Sequence, residues 1–267
     1  MSIDQGPRGL PFDRHDSNPP PLPGGEHGAM QEGDEFRPMK KPVGLASAFE
    51  AVLKHPKQLI GQLHIGGQMK LVLCLLMIAI VCLACYGTVV GMFSGGAQLW
   101  ISPLKITLGL LLSALICLPS LCIFSLLNGF DARPTELIGL LCAAIALNAI
   151  LLVGYAPVVW LFSESTYSVT FMGCLHLTCW MIGLYFGSGL LFMGLGHMRS
   201  EGLTPLRVWA VVFVLVCMQM TTTLRPIVGT ADTLLPQEKK FFAAYWWECL
   251  DQDKSPGPRH RDERNGF

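Results

Sequence analysis

Acidic and basic residues are absent from five stretches of the chain, 71–104, 106–130, 137–163, 165–198 and 208–224. A hydrocarbon core about 30 Å thick is crossed by roughly 20 helical residues, and lipid offers no partner for an unpaired backbone group. The pattern therefore predicts an all-α integral membrane protein with five transmembrane helices near 71–93, 106–128, 137–160, 170–196 and 207–227. These spans form one membrane domain, 71–228.

Ahead of the spans, the pattern changes twice. Residues 1–43 are rich in Pro, Gly, Asp and Glu and bury too little apolar area to offset ordering entropy, so they are read as disordered. Within 44–66, Leu45, Phe49, Val52 and Leu53 recur at helical spacing, Pro56 interrupts them, and Leu59, Ile60 and Leu63 resume the run. With Lys54 and Lys57 beside these positions, the segment reads as an amphipathic juxtamembrane helix on the bilayer surface. Its competitor is a helix packed under the bundle. Beyond the spans, Phe242, Trp246 and Cys249 share a helical face in 229–250, an interfacial aromatic segment, and 251–267 reads as a disordered tail.

Composition adds orientation more than identity. Of all residues 51% are hydrophobic and 14% charged, with mean hydropathy +0.46, so the charges are left to tails and short loops and any soluble core is small. No apolar signal-peptide core precedes the first span, which is expected to direct insertion itself. Lys54, Lys57, Lys70, Arg133, Arg199 and Arg207 fall on one face of a five-span arrangement, against Lys105, Arg225, Lys239 and Lys240 on the other. The positive-inside rule then places the N-terminus in the cytoplasm and the C-terminus outside.

Candidate functional residues are polar groups and breaks within the apolar runs. Pro119 and Pro157 interrupt the second and third spans, Asn148 lies within the third, and Lys105, Gln219 and Arg225 mark span ends. Such breaks line a pathway or shape a bundle. Gly183 and Gly187 have the four-residue spacing that lets helix backbones approach, as have Gly91 and Gly95, with packing inside one subunit as the default and homodimerisation as the alternative. Nine of the ten cysteines lie in apolar spans, where they behave as small hydrophobes. Ser188 between two glycines evokes an intramembrane hydrolase, but His176 is twelve residues away on the same helix, about 18 Å along its axis. No phosphate-binding loop, zinc motif or intramembrane carboxylate pair occurs, so the chain is read as non-enzymatic, without cofactor or metal and without a nucleic-acid partner.

Two resemblances accompany these features. The amphipathic segment with its proline, the five close spans and the pieces Ser102-Pro103-Leu104-Lys105, Cys117-Leu118-Pro119-Ser120 and Leu224-Arg225-Pro226 resemble the Yip family of small multi-span membrane proteins, over residues 45–230. That resemblance implies membrane organisation or trafficking through partner proteins, with no established reaction. The stretch 59–72 is similar to the actin-binding WASP-homology-two motif. It implies that Leu59, Ile60 and Leu63 fill a hydrophobic cleft and that Met69, Lys70 and Val72 form an extended strand, with Leu71 replacing the usual second basic residue. The leading expectation is a membrane-organising scaffold whose partners are the bilayer and other membrane proteins or further copies of itself. A small-solute transporter or channel and an actin tether are the alternatives.

Overall fold

The computed structural model describes residues 44–65, 69–94, 98–129, 133–166, 169–198 and 204–223. Among them are seven helices: α1 (Leu45–Lys54), α2 (Pro56–His64), α3 (Met69–Ser94), α4 (Gln98–Leu127), α5 (Pro134–Ser165), α6 (Val169–Met198) and α7 (Thr204–Thr223). The described residues contain no strand. Four helices, α3 to α6, are long and apolar enough to cross a bilayer, and the apolar part of α7 is the shorter run Pro205–Met220. The protein is multi-pass and membrane-integrated.

Local chemistry sets the ends. At the start of α1, Ser47 Oγ accepts from the Gly44 N–H at 2.9 Å and donates to the Gly44 carbonyl at 3.0 Å, a reciprocal cap. His55 sits at φ −132°, outside the helical basin, because the ring of Pro56 disfavours it there, and Pro56 then opens α2 at a position that needs no N–H. The juxtamembrane segment expected as one amphipathic helix is thus two. Gly129, at φ 68°, closes α4 through its N–H on the Leu126 carbonyl at 2.9 Å. Pro134 opens α5, and Glu136 occupies its first turn, where the helix dipole favours a negative charge.

The helices run alternately up and down. α5 packs against α3 and α6, with lesser contact to α1, α2 and α4, while α3 also carries α4, and α4 carries α7. Outward positions are apolar: Leu73, Met77 and Val81 line one stripe of α3, and Leu104, Leu108 and Leu112 one stripe of α4. Stripes of this kind are anomalous against water and expected against lipid.

Since lipid removes the hydrophobic drive between helices, close backbone approach holds such a bundle together. A Cβ on Gly187 would lie 2.7 Å from the Ala144 carbonyl oxygen, and one on Gly194 would lie 2.5 Å from Leu140. Side chains would also collide at Gly183, with Asn148, and at Gly87, with the backbone of Pro103. The α5–α6 seam and the α3–α4 seam are therefore built on glycine.

The helix pair α1–α2 carries two corrections. Leu59, Ile60 and Leu63 are 0%, 0% and 3% exposed, with Leu63 against Gly139 of α5, so they belong to the core and are covered from any actin cleft. Met69, Lys70 and Val72 lie in α3, whose internal hydrogen bonds use the backbone groups an extended strand would offer. The second expected span also begins too late, because α4 continues through Lys105, which is buried.

His64 joins α2 to the bundle. Its ring centroid is 5.5 Å from that of His197 on α6, and both its ring nitrogens are buried without a hydrogen-bond partner. Burial pulls its pKa below 6.5, opposed by the charge of Glu136 on α5 and reinforced by His197. Docked α2 therefore binds fewer protons than undocked α2, and docking is complete above about pH 6.5 and weakens as pH falls below it. Hydrogen exchange of α2 amides, corrected for intrinsic rates, is expected to quicken at pH 5.5 in the wild type and to lose most of that increment in His64→Leu. Equal pH dependence in both would refute the assignment.

Candidate functional site

Asn148 is the polar centre of the bundle. It lies midway along α5, is 1% exposed, and has neither its side-chain oxygen nor its nitrogen hydrogen-bonded. Its position is enforced from α6: Gly183 leaves room for the carboxamide, and a Cβ on Gly187 would lie 3.6 Å from the Asn148 Cβ. Leaving a buried amide unpaired costs about 1–3 kcal/mol by protein mutational data, and more where lipid excludes water. A residue retained at that cost marks the place to look for function.

Asn148 borders a cavity of about 20 Å³ shared by four helices. Leu110 of α4, Leu141, Ala144 and Ile145 of α5, Leu184, Gly187, Ser188 and Leu191 of α6, and Trp209 and Phe213 of α7 complete its wall. Ser188 is half-buried and donates its hydroxyl to the Tyr185 carbonyl at 2.9 Å, which leaves its oxygen free to accept. Trp209 closes the α7 side. Its indole N–H donates to Ser120 Oγ at 2.9 Å and approaches the Cys117 carbonyl at 3.3 Å, and its ring stacks on Phe213 at 5.4 Å. The turn around Pro119 thus anchors α7.

A second buried polar group stands apart from this cavity. Tyr86 Oη and His176 Nδ1 are 2.9 Å apart between α3 and α6, with the rings stacked at 5.5 Å, and the Trp180 ring lies 5.9 Å from His176. His176 Nε2 and Trp180 Nε1 are buried without hydrogen-bond partners. His176 is therefore engaged with Tyr86, far from Ser188.

Of the residues singled out from sequence, Asn148, Gly183 and Gly187 meet at one place, and Pro119 contributes through the turn that holds Trp209. Lys105 and Gln219 lie on α4 and α7 without lining the cavity. Pro157 is inside α5, nine residues past Asn148, about 13 Å along the axis. Arg225, the aromatic segment 229–250, both tails and Gly95 lie outside the described residues. Trp209 and the Tyr86–His176 pair escaped sequence reasoning. The available signal was a tryptophan inside an apolar run, whose N–H needs a partner once buried. Among the described residues, no group of three or more His, Cys, Asp or Glu is placed to hold a metal ion.

The chain matches no family model, no curated protein and no solved structure.

Proposed function

We propose that this is a non-enzymatic, five-span membrane-organising protein, with its N-terminus cytoplasmic, acting on the bilayer through the helix pair α1–α2. One observation carries the reading. On α1 the small residues Ala48 and Ala51, with Val52, are buried against the bundle, while Leu45, Phe49 and Leu53 are 55%, 42% and 46% exposed along the adjoining stripe. The helix is held by one face and offers large apolar side chains on the flank beside it.

α2, joined to α1 through His55 alone, docks where α5 begins and α6 ends, which is the bilayer surface of an up-and-down bundle. There the stripe of α1 inserts among lipid chains of one leaflet, and Lys54 and Lys57 face anionic head groups. The pair is a wedge fixed to a transmembrane anchor, in keeping with the Yip-like resemblance. The cavity beside Asn148, about 20 Å³, admits roughly one water molecule and lends no support to passage of a solute at that place.

The test is reconstitution of the full chain into phosphatidylcholine vesicles containing phosphatidylserine, with imaging of vesicle diameter. Wild type is expected to shift the population to smaller, more curved vesicles. Replacing Leu45, Phe49 and Leu53 together by Ser removes roughly 3 kcal/mol of interfacial anchoring and most of that shift, with insertion unchanged. Vesicle diameters that match protein-free controls, or that the triple replacement leaves unaltered, would overturn the reading.

A further inference from the structure

We infer that the outward face of α6 around Tyr185 and Gly189 is the surface on which a second copy of this chain packs, side by side in the membrane. Tyr185 is 74% exposed, and among the described residues its hydroxyl has no hydrogen-bond partner. It lies fourteen residues after Phe171 and twelve before His197, the ends of the span, so about 18 Å of helix separates it from the nearer end. No single side chain bridges that distance to the head groups. Hydrocarbon offers the hydroxyl nothing, so in a lone chain it stays unsatisfied. Thr88 and Thr178, also exposed on spans, escape that penalty by donating to the carbonyls of Ala84 and Cys174 at 2.9 and 2.8 Å. A phenol is too long to fold back on its own turn in this way.

Depth and symmetry select the occupant. Lipids carry their polar atoms at the bilayer surface, away from Tyr185. A second copy, inserted in the same direction and related by a two-fold axis along the membrane normal, brings its own Tyr185 to the same depth, and a hydroxyl both donates and accepts, so one donates to the other. Gly189, one turn further on, has nothing within 4 Å of the position a Cβ would take, which lets two α6 backbones draw together there. Gly183 and Gly187 are spent inside the subunit, against Asn148 and Ala144, so Gly189 is the glycine of this stretch that faces outward. Within the chain α6 rests on α5 and touches α2 and α7 sparingly, which leaves this face without a neighbouring described helix. Met181 and Met193, 44% and 40% exposed, extend it with side chains that adapt to a facing surface.

The test is energy transfer between full-length copies bearing donor or acceptor fluorophores at the N-terminus, in phosphatidylcholine vesicles of increasing lipid-to-protein ratio. Wild type is expected to transfer above the level of random proximity and to lose the signal when unlabelled wild type is added in excess. Tyr185→Phe, which removes one oxygen from an exposed side chain, is expected to weaken association roughly three- to ten-fold, about one interhelical hydrogen bond. Gly189→Leu, which the open space outside α6 accommodates in a single subunit, is expected to weaken it more than ten-fold by holding the two helices apart. Both variants are checked for an unchanged melting profile in detergent. Wild type that transfers only at the random level overturns the proposal, a result that needs no variant and turns the face toward a different protein. Tyr185→Phe that associates as tightly as wild type overturns it as well, whatever Gly189→Leu does.

Discussion

Gly187→Leu is expected to separate α6 from α5 and to destabilise the bundle by roughly 3 kcal/mol, the upper part of the range for overpacked interiors. The obstruction is backbone: the new Cβ would sit 2.7 Å from the Ala144 carbonyl oxygen, and a carbonyl inside a helix has no rotamer to change. The helices must move apart, and dispersion contacts along the seam are lost together because no hydrophobic drive between helices replaces them in lipid. Gly189→Ala is the internal control. Nothing lies within 4 Å of its added carbon, so it should gain up to about 1 kcal/mol from helix propensity. Unfolding of both variants in mixed micelles of increasing dodecyl sulfate reads the difference; a Gly187→Leu midpoint equal to wild type would show that the seam is looser than described.

Trp209→Ala is expected to be as severe, with a loss of about 3–5 kcal/mol concentrated on α7. Trp209 is among the largest fully buried side chains, and α7 has α4 as its principal neighbour. Removing the indole empties the space between Phe213 and the Ser120 turn and abolishes the N–H donation. Trp209→Phe separates the contributions: it keeps a ring beside Phe213, leaves Ser120 still donating to the Cys117 carbonyl at 2.7 Å, and costs about 1–2 kcal/mol. Limited proteolysis in detergent should release the C-terminal segment from Trp209→Ala well before the rest of the bundle is cut. Cleavage of Trp209→Ala at the wild-type rate would mean that other contacts hold α7.

The four long helices were legible because absence of charge over more than 20 residues has one stable outcome in a chain of this composition. Their ends were not. A window that stops at the first charged side chain starts the second span at 106, whereas α4 begins at Gln98 and buries Lys105; the third expected span starts after Glu136, which α5 takes into its first turn. Lengths were therefore underestimated wherever a charge is buried.

At the site, the four-residue spacing of Gly183 and Gly187 was visible in the sequence and Asn148 was conspicuous as a polar residue in an apolar run. Their meeting was not, since it depends on the antiparallel register of α5 and α6. The same limit hid Gly87 opposite Pro103, and the Tyr86–His176 pair, whose members are 90 positions apart. In the juxtamembrane segment, periodicity revealed amphipathic character but merged two faces. Leu45, Phe49 and Leu53 stay outside while Leu59, Ile60 and Leu63 go in, because a helix broken at Pro56 turns a different side to the bundle after the break.

The burial of α2 also imposes an order on biogenesis. Leu59, Ile60 and Leu63 leave the ribosome before any span, yet the surfaces that receive them belong to α5 and α6, whose facing residues, Gly139 and His197, are made about 75 and 130 residues later. Through that interval the nascent chain carries an apolar helix with nowhere to dock. Its closure onto the bundle can therefore follow only once the membrane domain has been made as far as α6, so the three side chains stay uncovered for the whole of that interval.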